Sequence, residues 1–152
     1  ISYPELYEVL EGEALYLLQN KDASDVVVVH ASIGDKVLVP PDYGHVTINC
    51  SNKRLKMSNF VARSFSSLYE PFRKMAGAAY YYTRDGYLKN GHYRSVPEIR
   101  HLDAPDSTHL GLLGLSKSRE MYSLVREPEK LDYLVHPQDH LDLFGRFLMK
   151  WR

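Results

Sequence analysis

A single cysteine, Cys50, in 152 residues has no partner for an intrachain disulfide, and one thiolate cannot build a zinc cluster. Such sparing use of cysteine fits a reducing compartment, so the cytoplasm is the expected location. A surplus charge of one sign is missing too: Lys plus Arg and Asp plus Glu number 19 each. That balance excludes a uniformly basic surface for nucleic acid, and anion capture has to be local. No apolar run approaches the roughly 20 residues that span a bilayer, so no membrane partner is expected. Ile1-Ser2-Tyr3-Pro4 carries neither the basic n-region nor the apolar h-region of a secretory signal. An initiator Met is absent as well, and an N-terminal portion beyond Ile1 is therefore expected. What is present is globular in kind: 44% of residues are hydrophobic and 25% charged, which argues against disorder. A chain this long buries roughly two-thirds of its unfolded surface, enough for one self-sufficient domain.

The first half of the chain reads as β-structure. Apolar runs on either side of Glu11-Gly12-Glu13 suggest a hairpin. Asn20 to Asp25 is a polar turn, and Val26-Val27-Val28-Val29 is β-branched throughout. Lys36 to Val39 is a short strand ended by Pro40-Pro41, since proline supplies no ladder donor. His45 to Asn49 and Leu55 to Arg63 follow as strands. Recurrence about every ten residues with turns between predicts an antiparallel sandwich or barrel. Around Glu70-Pro71-Phe72 a short helix is predicted, then a strand at Tyr80-Tyr81-Tyr82-Thr83 and a hairpin turn at Arg84-Asp85-Gly86. Residues 89–109 read as an extended arm. Three helices are predicted beyond it, over 116–125, 128–135 and 137–151, with Pro128 and Pro137 in first turns. Leu141, Phe144, Leu148 and Trp151 fall on one face of the last.

The stretch Gly34-Asp35-Lys36-Val37-Leu38-Val39-Pro40-Pro41-Asp42-Tyr43-Gly44-His45-Val46-Thr47-Ile48-Asn49 carries the chemistry. A strand ends at a double proline, a tight turn follows, and His45 opens the next strand, held by rigid β-structure. On spacing alone such a histidine is more often structural than a ligand, and Glu5 alone reads as a solvated carboxylate at a strand start.

The pattern G-D-x-x-x-V-P-P-x-x-x-H-x-x-x-N resembles the second conserved motif of the cupin superfamily. Glu5-Leu6-Tyr7-Glu8-Val9-Leu10-Glu11-Gly12-Glu13-Ala14 resembles the end of the first. Among cupins, Pro4-Glu5-Leu6-Tyr7 together with Val39-Pro40-Pro41-Asp42-Tyr43-Gly44-His45 most resembles the archaeal-type glucose-6-phosphate isomerases, and Tyr69 and Ala79 to Gly86 fit the same family. The resemblance implies a mainly β chain: a cupin barrel (double-stranded β-helix, or jelly roll) with its following hairpin over residues 1–100. Residues 101–152 are then an arm and helical extension packed on the barrel. It implies a divalent metal of the iron, zinc, manganese or nickel class, bound by Glu5 and His45 with an H-x-H pair that would lie just before Ile1. It places Glu5 and Tyr7 in catalysis and Tyr7 and Tyr69 against a sugar phosphate, and it implies a homodimer. Period-two alternation puts Tyr7 on the same strand face as Glu5. The implied reaction is the interconversion of glucose 6-phosphate and fructose 6-phosphate. Another cupin enzyme (a sugar isomerase, an epimerase or an iron dioxygenase) and a non-enzymatic sugar-binding cupin remain alternatives.

Other residue groups read as structural. Tyr80, Tyr81 and Tyr82 in succession cannot share one strand face, so packing accounts for most of the twelve tyrosines. His136 and His140, four apart, are interrupted by Pro137, which disfavours a helical metal pair. His101, Asp103, Asp106 and His109 read as solvated loop, and Cys50 as a packed thiol. The sequon Asn49-Cys50-Ser51 matters only in a secreted chain.

Overall fold

The computed structural model describes residues 2–149. The six strands of the first half are β1 (Glu5–Glu11), β2 (Glu13–Asn20), β3 (Val26–Ser32), β4 (Lys36–Val39), β5 (Tyr43–Asn49) and β6 (Lys56–Phe60). A short helix α1 (Glu70–Lys74) leads to β7 (Tyr80–Thr83) and β8 (Gly86–Lys89), and β9 (Arg100–Asp103) closes the β-region. Helices α2 (Ser107–Leu112), α3 (Asp132–Val135) and α4 (Leu141–Met149) alternate with 3₁₀ turns at Met121–Arg126, Pro128–Leu131 and Pro137–His140. The chain is mainly β with a helical C-terminal part, as the resemblance implies. Its strands form separate ladders, in the orders β4-β1-β6, β5-β2-β3-β9 and β7-β8.

The expected hairpin at Gly12 is not one. β1 pairs with β4 and β6, whereas β2 pairs with β3 and β5. Gly12 sits at φ +80°, and a Cβ there would collide with the Arg54 carbonyl. It turns the chain from one sheet into the other, and apolar runs flanking a glycine look the same for a corner as for a hairpin. The extended arm likewise hides a strand. β9 lies parallel to β3, with Val27 opposite Arg100 and His30 opposite Asp103. Only its Leu102 is apolar and buried, so no alternation announced it. The Arg100 guanidinium anchors it, donating from Nε to Asp25 Oδ1 and from Nη2 to Asp25 Oδ2, both at 2.8 Å.

Alternating side chains sort into three cores. Between the two larger sheets lie Tyr7, Val9, Tyr16, Leu18, Val29 and Val37. The outer face of the β2–β3–β5 sheet buries Leu15, Leu17, Val26 and Val28 under Ala78, Ala79 and Tyr80. The outer face of the β1–β4–β6 sheet buries Leu6 and Leu38 under Leu110, Met121, Leu124 and Phe147 of the helical part. Each such side chain contributes about 1.5–3 kcal/mol when fully buried, which seats the extension on the sheet.

A polar clasp sits inside that last core. Lys36 and Glu8 are each 1% exposed and pair at 2.9 Å. The Lys36 ammonium also donates to the carbonyls of Gly34, Ser116 and Arg119 at 2.9, 2.6 and 2.8 Å. Glu8 Oε2 accepts from the Met121 backbone N–H at 3.0 Å.

The predicted C-terminal helices are shorter than their spacing suggested, because Pro128 and Pro137 each restart the chain in a 3₁₀ turn. In α4 the buried residues are Phe144 and Phe147, while Leu141 is 66% exposed. Trp151 and the Leu148 side chain lie outside the described residues. Phe144 and Phe147 pack into this chain's own core. His101 and Asp103 belong to β9, and Asp106 caps α2, accepting from the His109 N–H at 2.9 Å; His101, Asp103 and Asp106 are exposed as expected, but they sit in a strand and a helix cap rather than a loop. Among the described residues no helix is long and apolar enough to cross a membrane.

Candidate functional site

Glu5, Tyr7 and His45 come together between the two larger sheets. Glu5 and Tyr7 share the inward face of β1. β5 lies antiparallel to β2 with His45 opposite Leu18, an inward residue of the same core, so the imidazole points at β1 across the interior. The turn before β5 fixes where His45 enters. Asp42 occupies a left-handed conformation at φ 67°, and its N–H donates to Ser2 Oγ at 2.7 Å. At Gly44 a Cβ would come within 2.9 Å of the Phe72 ring, so α1 packs directly over the strand next to His45. Tyr43 Oη donates to Asp25 Oδ2 at 2.8 Å, tying the start of β5 to the β3–β9 edge.

The Tyr7 hydroxyl donates to Glu5 Oε2 at 2.8 Å and lies 3.0 Å from His45 Nε2. Its one proton is committed to the carboxylate, so His45 Nε2 carries the proton it shares with the phenol oxygen. Nδ1 is then a bare lone pair, 3.7 Å from Glu5 Oε1. Two acceptors facing each other without a proton between them are suited to a cation. Donors held about 2.0–2.2 Å from one metal ion sit roughly 3–3.5 Å apart, close to this spacing.

Burial keeps the imidazole available as a ligand. It holds the His45 pKa below its ordinary value, although the Glu5 carboxylate pulls the other way, so the ring is neutral at pH 7. Burial, reinforced by the hydrogen bond to Glu5, pushes the Tyr7 phenol well above its ordinary value, which keeps it a protonated donor. The Asn59 side chain, on the residue that faces Tyr7 across β6, hydrogen-bonds the same phenol. The Tyr16 ring packs 5.4 Å from that of Tyr7. Neither residue was singled out by the sequence. Asn59 becomes a neighbour only through strand register, and Tyr16 lies in an apolar run where packing was the natural account.

Tyr69 is not part of this cluster. It stands at the N-terminus of α1, 63% exposed, and with Phe72, Arg73, Ala76 and Gly77 it lines an open cleft of about 500 Å³. Phe72 of this cleft packs over Gly44 with the outer core of the sheet, whereas the cluster lies on the inner side. His136 and His140 do share a partner: His136 Nδ1 lies 2.7 Å from Asp132 Oδ1 and His140 Nε2 2.9 Å from Asp132 Oδ2. A second set of side chains could hold a metal ion, Glu13, His30 and Cys50, whose ligand atoms all lie within 4.8 Å of one another. Cys50 has no such neighbours along the sequence; β-sheet register supplies them.

Comparison with curated proteins gives no match. The family model described as Glucose-6-phosphate isomerase (GPI) matches residues 1–98, a span that holds the Glu5–Tyr7–His45 cluster, α1 and the β7–β8 hairpin. With 98 of its 152 residues inside that match, the chain belongs to the glucose-6-phosphate isomerase family.

Proposed function

We propose that the protein interconverts glucose 6-phosphate and fructose 6-phosphate in the cytoplasm, in glycolysis and gluconeogenesis, with Glu5, Tyr7 and His45 in its active centre. One observation carries this reading: three residues spread over 41 positions of sequence converge inside the span that matches the family, with an imidazole nitrogen 3.7 Å from a carboxylate oxygen. Glu5 and His45 would hold a divalent metal of the iron, zinc, manganese or nickel class, together with the H-x-H pair that the cupin resemblance implies. When bound, that metal supplies Lewis-acid polarisation of the sugar oxygens at C1 and C2. Isomerisation moves one hydrogen between C1 and C2 and exchanges the protons on O1 and O2. Tyr7 Oη, placed between Glu5 Oε2 and His45 Nε2, is the atom at which a proton is handed to or from a sugar oxygen, with Glu5 as its acceptor. The two sheets exclude bulk water around this phenol, which strengthens each of these hydrogen bonds.

The phosphate contact that the resemblance gives Tyr69 would require its cleft beside α1, on the outer side of the sheet, to open toward the cluster. A homodimer is part of the proposal. Tyr81, Tyr82 and Leu88, 36%, 43% and 59% exposed on the β7–β8 hairpin, are the apolar residues that support it.

The test is His45→Ala in the full-length gene product. Metal retention and isomerase activity should both be lost while circular dichroism stays unchanged. Full activity in that variant after chelation and metal add-back would refute the assignment.

A further inference from the structure

The outer face of the β5–β2–β3–β9 sheet carries chemistry that the proposed isomerisation does not use. Glu13 opens β2 and shares a face with Leu15 and Leu17; His30 shares a face with Val26 and Val28 of β3; Cys50 directly follows β5 and packs with Val46 and Ile48. These companions all belong to the outer core, so the three side chains emerge on the side of the sheet opposite the Glu5–Tyr7–His45 cluster. They come from adjacent segments of one ladder, where neighbouring strands lie about 4.7–4.9 Å apart and the backbone is rigid. His30 Nε2 is 3.0 Å from Glu13 Oε2, with the two side chains 54% and 51% exposed. The Cys50 thiol is half-buried, and burial together with the Glu13 carboxylate pushes its pKa up.

We propose that Glu13, His30 and Cys50 form a second, solvent-facing site for a divalent cation of the zinc class, separate from the one assigned to Glu5 and His45. An exposed His–Glu pair is ordinary on a protein surface and needs no metal; the thiol on the same side changes its chemistry. A carboxylate, a neutral imidazole and a thiolate together carry two negative charges, which one divalent cation cancels. Binding breaks the S–H bond heterolytically, releases the proton to solvent and forms a sulfur–metal bond, with no change of oxidation state. Mixed oxygen, nitrogen and sulfur donors favour borderline zinc-like ions over calcium or magnesium, which prefer oxygen alone. Three protein ligands leave a fourth position open to water on the exposed side.

Cobalt(II) distinguishes this site from the interior one, because a thiolate bound to cobalt gives a near-ultraviolet charge-transfer band and Cys50 is the only cysteine in the sequence. The chain is titrated with Co²⁺ under a phosphine reductant. The band should saturate at one equivalent and be bleached by Zn²⁺. It should be absent from Cys50→Ser, with affinity on the order of tenfold or more weaker in both His30→Ala and Glu13→Gln, and unchanged in His45→Ala. Circular dichroism on each variant checks that it is folded. No band in the wild-type chain, or growth without saturation, overturns the proposal. So does a band of unchanged affinity in His30→Ala and Glu13→Gln, which would mean that the thiol binds alone. Since His45→Ala enters only as a control that keeps the band, the result does not depend on the isomerase reading.

Discussion

The two faces of β1 carry two polar clusters with opposite designs. On the inward face, Glu5 and Tyr7 meet His45, and a carboxylate oxygen and an imidazole nitrogen confront each other 3.7 Å apart. On the outward face, Glu8 meets Lys36, whose ammonium is surrounded by the backbone carbonyls of Gly34, Ser116 and Arg119. The outward cluster is fully buried: Lys36 and Glu8 pair at 2.9 Å, and both are 1% exposed. It ties residues distant in sequence into one core. The inward cluster is less enclosed, with the His45 and Glu5 side chains 14% and 13% exposed. One strand with a period of two thus carries a buried ion pair on one face and the proposed site on the other.

The comparison can be broken most forcefully at Lys36. Lys36→Met leaves the Glu8 carboxylate buried without its cation and should cost about 3–5 kcal/mol in chemical denaturation. The Glu8→Leu, Lys36→Met double variant removes both charges and should recover most of that loss. A double variant as unstable as the single would mean that the carbonyl contacts, not the charge pair, hold the extension. At the corner between the sheets, Gly12→Ala meets the Arg54 carbonyl at a positive φ and should cost about 1–3 kcal/mol, read as a lowered melting temperature. On the inward face, Tyr7→Phe removes one hydrogen bond to Glu5 and should cost only about 0.5–1.5 kcal/mol of stability, while isomerase activity falls far more.

The smallest effect is expected at the surface trio of Asp132, His136 and His140. The Asp132 carboxylate raises the His136 pKa, so that contribution is complete below the ordinary histidine value and is lost as pH rises through the raised one. His140 and His136 lower the Asp132 pKa, and that contribution is present above the ordinary carboxylate value and lost on acidification through the lowered one. Both hold between roughly pH 4 and pH 6.5. Asp132→Asn should therefore lower the melting temperature more near about pH 5 than near about pH 8, and a pH-independent difference would show that the trio is electrostatically silent.

Much of the β-region was legible because its signals are local. The valine run of β3, the double proline after β4 and the turn before β5 each impose one conformation on a few residues. Glu5 and Tyr7 were placed on one face by alternation, and their hydrogen bond bears this out. The corner at Gly12 was not legible, since pairing partners are set by distant strands. β9 was hidden because its anchor, the bidentate Arg100–Asp25 pair, spans 75 residues. The Lys36 clasp, the Asn59 contact and the Glu13–His30–Cys50 set share that character: each is assembled by register, which no window of sequence displays. In α4 the spacing pointed to Leu141, but Phe147 is the fully buried residue. The 3₁₀ turn begun by Pro137 precedes that helix and delays its start to Leu141.

The most direct test of the division between the two faces is to compare Glu5→Gln with Glu8→Gln in the metal-replete, full-length gene product, measuring isomerase activity and melting temperature on the same samples. Glu5→Gln should lose activity with its melting temperature nearly unchanged, and Glu8→Gln should melt well below wild type while keeping its activity per folded molecule. Wild-type activity in Glu5→Gln, or lost activity with an unchanged melting temperature in Glu8→Gln, would contradict the account.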